Sequence, residues 1–221
     1  MADTMLIVAA DGESLVSQCG GAMARYAAEG WEVHALLLCE SQEGPWAQAC
    51  ALLGAKGVQC PGYAPAPLEM PLERLDHLAC ILRALRPKFI LTHDKETDPA
   101  RPDHDTVSRA VLSAYNIASG AGAPCGGLPV SPRQTPMFGL EPEEPELCRF
   151  RPRLYLDITA FQARKEAALV QAGAAETAAA WALRAQLHAR RVRGHGGSAG
   201  CRYAEAFSGY GPIAAHGYFV W

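Results

Sequence analysis

The order of short buried strand, polar turn, helix and next strand predicts an α/β fold, a mostly parallel sheet with helices on both faces. Three observations carry it. Short strand-like segments of five or six residues recur at Met5–Ala9, Val33–Leu38 and Lys88–His93, too short for three helical turns. Segments of helical period lie between them. The 221 residues are 49% hydrophobic and 19% charged, enough apolar material for one sizeable core, so a single domain over residues 1–221 is expected.

Taken in order, Met5–Ala9 is the opening strand, closed by Asp11 and Gly12. A helix from Ser14 to Glu29 follows, with Ser14 as N-cap and Gly30 as the stop. Val33–Leu38 is the second strand, Trp46–Leu53 a short helix and Gly57–Cys60 a short strand. Leu72–Leu85 is an amphipathic helix entered through Pro71 and halted before Pro87. The Lys88–His93 strand (KFILTH) leads to a helix over His104–Ala118. Ser119–Pro136 is rich in Gly, Pro, Ala and Ser, and a loop of that length is expected to serve as a lid or as a tolerated insertion. Pro136–Gly139 and Arg153–Asp157 read as strands, and Phe161–Arg193 as one or two helices. The Gly-rich tail from Gly194 carries RYAEAF and ends in Tyr218-Phe219-Val220-Trp221, expected to pack on the body or on a second subunit.

Composition excludes several classes. A formal charge of −3 and a pI near 6.2 give no basic excess for nucleic acid. No apolar run approaches the roughly 20 residues of a membrane span, and MADTMLIVAAD has no basic stretch before its apolar residues, so a cytoplasmic protein with no membrane partner is expected. The eight cysteines contain no C-x-x-C pair, which points to small buried side chains rather than a zinc knuckle or redox couple.

Ligands of open parallel sheets bind beyond the carboxyl ends of the strands. Two polar clusters fall there: Asp11-Gly12-Glu13-Ser14, and His93-Asp94 followed by the run Asp98 to Asp105. Together they offer carboxylates, imidazole and guanidinium, the ingredients of a metal-activated water. Singly, each has a structural reading: Asp11 as turn former, Ser14 as N-cap, Asp103 as cap of the next helix, His104 as a helix-start histidine. No G-x-G-x-x-G or Walker loop follows the first strand, which argues against dinucleotide and nucleoside triphosphate sites.

The run IVAADGESLVSQCGGAMARYAAEGWEVHALLL, with Arg101-Pro102-Asp103-His104 and RYAEAF, resembles the PIG-L/LmbE family of zinc-dependent N-deacetylases on a Rossmann-like fold. The segment from Glu141 to Cys148 (EPEEPELC), followed by RPRLYLDIT, is similar to the branch of 4-oxalomesaconate hydratases, as is the pattern His93, Asp98-Pro99, Asp103-His104. The resemblance implies a metal site at Asp11, Ser14 and His104, with zinc as the expected ion. Asp11 stands where the family has a ligand histidine and Ser14 where it has a ligand aspartate; only His104 is retained. It also implies Glu13 as general base and Arg101 in place of an oxyanion-stabilising histidine. Asp103 is a further catalytic candidate, and Lys95, Arg101 and Arg109 are candidates for holding substrate carboxylates. Three functions follow: a hydratase-like lyase on a small unsaturated polycarboxylate, an N-deacetylase of N-acetyl sugar conjugates, or a non-catalytic member that has lost the metal. The partners expected are an acidic small molecule and further copies of the chain in a homo-oligomer.

Overall fold

The computed structural model describes residues 2–96, 98–132 and 135–210. The elements are β1 (Thr4–Ala9), α1 (Gly12–Ala28), β2 (Glu32–Leu37), α2 (Pro45–Leu52), β3 (Gly57–Gln59), α3 (Leu72–Leu85), β4 (Phe89–His93), α4 (Pro102–Ala118), β5 (Met137–Leu140), β6 (Leu154–Asp157), α5 (Gln162–Gln171), α6 (Ala175–Gly194) and β7 (Ala204–Gly209). The seven strands form one sheet in the order β3-β2-β1-β4-β5-β7-β6. The first five are parallel, and β7 runs antiparallel to both β5 and β6.

Strand β1 is buried on both sides, as parallel strands covered by helices are. Met5, Ile7 and Ala9 pack with Leu15, Val16 and Met23 of α1 and with Ala168 and Leu169 of α5. The alternate residues Leu6, Val8 and Ala10 pack with Leu78 and Leu82 of α3 and Val107 and Val111 of α4. Chain order leaves β1 in one direction toward β2 and β3, then crosses to place β4 on its other side. The gap between the carboxyl ends of β1 and β4 is therefore the topological switch point of the sheet.

Several local expectations are corrected. The cap of α1 is Asp11, whose side chain accepts the Ser14 N–H, so Ser14 lies inside the first turn. Helix α4 begins at Pro102, where a residue without an N–H costs no hydrogen bond. Residues 162–194 are two helices, α5 and α6, parted by a turn in which Gly173 has φ +91°. The stretch 119–136 is no lid on the switch point. It joins the end of α4 to the start of β5, at the opposite end of the parallel strands, and the Arg83 guanidinium ties it down through the carbonyls of Ala118, Gly120 and Leu128. The residues Tyr218 to Trp221 lie outside the described residues.

The tail segment RYAEAF supplies β7, a strand inserted between β5 and β6. Its Glu205 points into a break in α1, where Cys19 leaves helical geometry at φ −143° and ψ 15°. That break frees N–H groups that a continuous helix would bond internally. Glu205 Oε2 accepts from Ala22 N at 2.7 Å; its Oε1 accepts from Gly21 N at 2.8 Å and from Lys165 Nζ at 2.7 Å. A carboxylate is thus held at the start of the second half of α1, the end that favours negative charge. Gly21 must remain glycine-sized, since a Cβ there would fall 2.6 Å from Ile158 Cδ1.

Candidate functional site

At the switch point, Asp11 follows β1 and caps α1, while His104 stands in the first turn of α4. Although 93 residues apart, they meet: Asp11 Oδ2 lies 3.2 Å from His104 Nε2. The Ser14 hydroxyl donates to Asp11 Oδ2 at 3.0 Å and lies 3.2 Å from the same His104 nitrogen. On the far side of the ring, His104 Nδ1 is 3.5 Å from Asp98 Oδ2. The imidazole thus bridges two carboxylates. Asp98 and His104 are buried, whereas the Asp11 side chain keeps 28% exposure. Burial acts to raise the Asp11 carboxyl, but the hydrogen bond to His104 and the Ser14 N–H, with the two histidines nearby, outweigh it and hold it well below the usual carboxylate range.

His93, the last residue of β4, lies flat on His104 with ring centroids 3.7 Å apart and planes at 8°. Its Nε2 accepts the Ala10 N–H at 2.9 Å, which places its own proton on Nδ1. Burial, and then the neighbouring His104, push His93 well below the ordinary histidine value and keep it neutral. The Tyr210 hydroxyl donates to the His93 carbonyl and sits 2.6 Å from Ser108 Oγ, bracing the end of β4 against α4.

The remaining candidates scatter. Arg101 reaches Glu143, with Nη2 to Oε1 at 3.0 Å. Glu13 accepts the Thr177 hydroxyl of α6 and makes no hydrogen bond to Asp11, Ser14 or His104. Asp103, a catalytic candidate of the sequence, is engaged with a loop: its two oxygens accept the backbone N–H groups of Ala66 and Leu68, each at 2.8 Å. A carboxylate so engaged has both oxygens committed to the segment before α3. Arg109 forms an i,i+4 pair with Asp105 at 3.1 Å, its side chain 70% exposed. It follows His104 by five residues, about 140° round the helix, and so leaves on another face. Lys95 is exposed on the loop after β4.

Three groups were given no catalytic, binding or metal role by sequence reasoning. Asp98 and His93 lay inside a quoted cluster, and their position at a strand end was the available signal. Glu40, just beyond β2, accepts the Gly12 N–H at 3.0 Å; nothing local marks it.

The segment 141–148 forms a wall beside the site. Glu141 pairs with buried His188 of α6 at 2.6 Å, Arg184 donates to the carbonyls of Pro142 and Glu143 at 2.9 and 2.7 Å, and Glu143 meets Arg101. Burial and the Asp98 carboxylate push the Cys148 thiol up to about 11, leaving it protonated and unreactive. Two described cavities lie elsewhere, one along α3 and one between this wall and α6.

Asp11, Ser14 and His104 do not fit a resident zinc ion. Zinc draws on thiolate, imidazole and carboxylate, and among the described residues no three such side chains converge. The arrangement is suited instead to moving a proton. With His104 neutral, Nδ1–H faces Asp98 and Nε2 is left able to take a proton; with His104 doubly protonated, Nε2–H faces Asp11.

Comparison with known proteins adds the following. The family described as PIG-L, GlcNAc-PI de-N-acetylase, matches residues 10–115. A 4-oxalmesaconate hydratase of Pseudomonas putida is 28% identical over 186 residues, covering 74% of this chain and 70% of that protein. The crystal structure of GalB, the 4-carboxy-2-hydroxymuconate hydratase from P. putida KT2440, superposes with a TM-score of 0.89 at 26% identity, over 98% of this chain and 100% of that one. An N,N'-diacetylchitobiose deacetylase from Pyrococcus horikoshii shares the fold, with a TM-score of 0.77 at 16% identity over 94% of this chain and 84% of that one.

Proposed function

We propose that this chain, whose residues 10–115 match the PIG-L family, is a hydratase-like lyase adding water to a carbon–carbon double bond of a small unsaturated polycarboxylate of the 4-oxalomesaconate kind. The observation that carries the reading is the wall of residues 141–148, anchored through Glu141, Glu143 and Arg184 beside the Asp98–His104–Asp11 chain. Similarity to a hydratase over most of both chains supports it.

The chemistry asked of such a site is modest. A water must lose a proton as its oxygen bonds to the carbon β to an electron-withdrawing carbonyl, and the α-carbon must gain one. His104 takes the water's proton, passing from the neutral form to the form that donates to both Asp11 and Asp98, and returns it to the α-carbon, which regenerates the neutral imidazole. The imidazolium so formed is stabilised by the two carboxylates that flank it. Arg101 holds a substrate carboxylate, exchanging its single contact with Glu143 for a paired one. Lys95, on the loop between β4 and α4, adds positive potential. Glu13, turned toward Thr177, shapes the start of α1 rather than reaching the reacting atoms.

The test is spectroscopic. Purified protein mixed with an oxalomesaconate-like dienoic acid should bleach its ultraviolet absorbance as the conjugated bond is hydrated. No bleaching with any such acid would end this reading. Release of acetate from an N-acetylglucosamine conjugate would instead place the chain with the deacetylases, the reading favoured by the family match over residues 10–115.

A further inference from the structure

We infer that Asp11, Ser14 and His104 form a closed hydrogen-bonded set that replaces a divalent-metal centre, and that two side chains, Asp11 and Ser14, are what bars the ion. The three contacting atoms stand 3.0, 3.2 and 3.2 Å apart. They are near enough to act as ligands of one ion, so position is not the obstacle. Donor chemistry is. The Ser14 hydroxyl is neutral and is not among the groups that hold zinc, which leaves one imidazole and one carboxylate where three protein ligands are the rule. Hard cations such as calcium ask for six or more oxygens, and this set provides two.

Neighbours that could make up the deficit are committed. His93 lies flat on His104 and its Nε2 is occupied by the Ala10 N–H. Glu13 is drawn to Thr177, and Glu40 accepts the Gly12 N–H. Asp98 stands behind His104 on Nδ1, on the side of the ring away from Asp11. Each atom of the set meanwhile has a partner within it, so an ion would have to displace hydrogen bonds that are already made.

The inference is independent of the hydratase reading and is tested without turnover. The full chain, purified without chelator, is assayed for metal by elemental analysis. Its zinc affinity is then measured by competition with a chromophoric chelator, beside Ser14→Asp and Asp11→His/Ser14→Asp, which rebuild two-carboxylate and two-imidazole donor sets. Wild type is expected to carry well under one tenth of an equivalent and to show no change in Tm on adding zinc. The double variant should bind at least about 100-fold more tightly, a larger change than outer-shell ligands command, and its Tm should rise with zinc concentration. Should the double variant fail to fold, Ser14→Asp alone should still gain at least about tenfold. Near-stoichiometric zinc in wild type overturns the inference, and so do folded variants that bind zinc no better than wild type. A metal-free protein that leaves the dienoic acid untouched overturns the hydratase reading while leaving this inference standing.

Discussion

Two buried charged clusters, Lys165–Glu205 beneath α1 and Asp98–His104–Asp11 at the end of the sheet, use similar chemistry to opposite ends. Lys165 and Glu205 are 1% and 2% exposed, and the described bonds of Glu205 go to Gly21, Ala22 and Lys165. That cluster is closed and has nothing to offer a ligand. At the switch point the Asp11 carboxylate is only partly covered, and its partner imidazole has two proton states the same neighbours can accommodate. Access and a second proton state, rather than charge, separate the chemical cluster from the structural one.

The sharpest way to break that contrast is to remove one charge from each. Lys165→Met strands the Glu205 carboxylate in the core and should cost about 3–5 kcal/mol, read by urea unfolding; a second change, Glu205→Gln, should recover part of the loss in a double-mutant cycle. His104→Asn should lower kcat on the dienoic acid by at least about 100-fold, the scale of a lost proton-transfer group, in a protein whose circular dichroism is unchanged. Arg101→Met should raise KM about tenfold or more, as loss of a charge-assisted contact does, with a smaller effect on kcat. Asp103→Ala should act on stability, by roughly 1–3 kcal/mol, because two backbone N–H groups lose their acceptor; a selective loss of kcat in a variant of normal stability would restore Asp103 to the catalytic set.

The smallest effect expected is one of pH. Burial raises the Asp94 carboxyl above its ordinary value, against the lowering influence of Ser208 and the Glu96 N–H. A raised carboxyl binds its proton more tightly in the folded chain. Its contribution favours folding at low pH and is lost as pH rises through the unfolded and then the folded value. Asp94→Asn should therefore gain stability relative to wild type near neutral pH, and the difference should shrink below about pH 4, the ordinary carboxylate range. Urea midpoints at pH 7 and pH 4 measure it. A Cβ at the neighbouring Gly139 would fall 2.3 Å from Asp94 Oδ2, so the replacement must be no larger than the native side chain.

Much of the fold was legible because the signals are local. Pro71 and Pro87 bracket α3 within two residues, and Gly30 ends α1 with φ +86°. Strand β7 was not legible: AEAFSG has no clean alternation, and its buried Glu205 contradicts a core strand until the break in α1 and Lys165 are known. In the site, Asp11, Ser14 and His104 were named and do meet. Asp103 and Arg109 were named with them because they are close in sequence, but successive residues on a helix diverge by about 100° and cannot share one target.

By itself the sequence determined which segments other than β7 are strands and helices, and that polar residues cluster at the ends of the first and fourth strands, since periodicity and capping act over a few residues. Only the tertiary structure decided that β4 lies beside β1, that Asp11 thereby faces His104 across 93 residues of chain, and that Glu13 and Asp103 turn elsewhere. Those outcomes depend on strand order and side-chain direction, and no short stretch of residues encodes either.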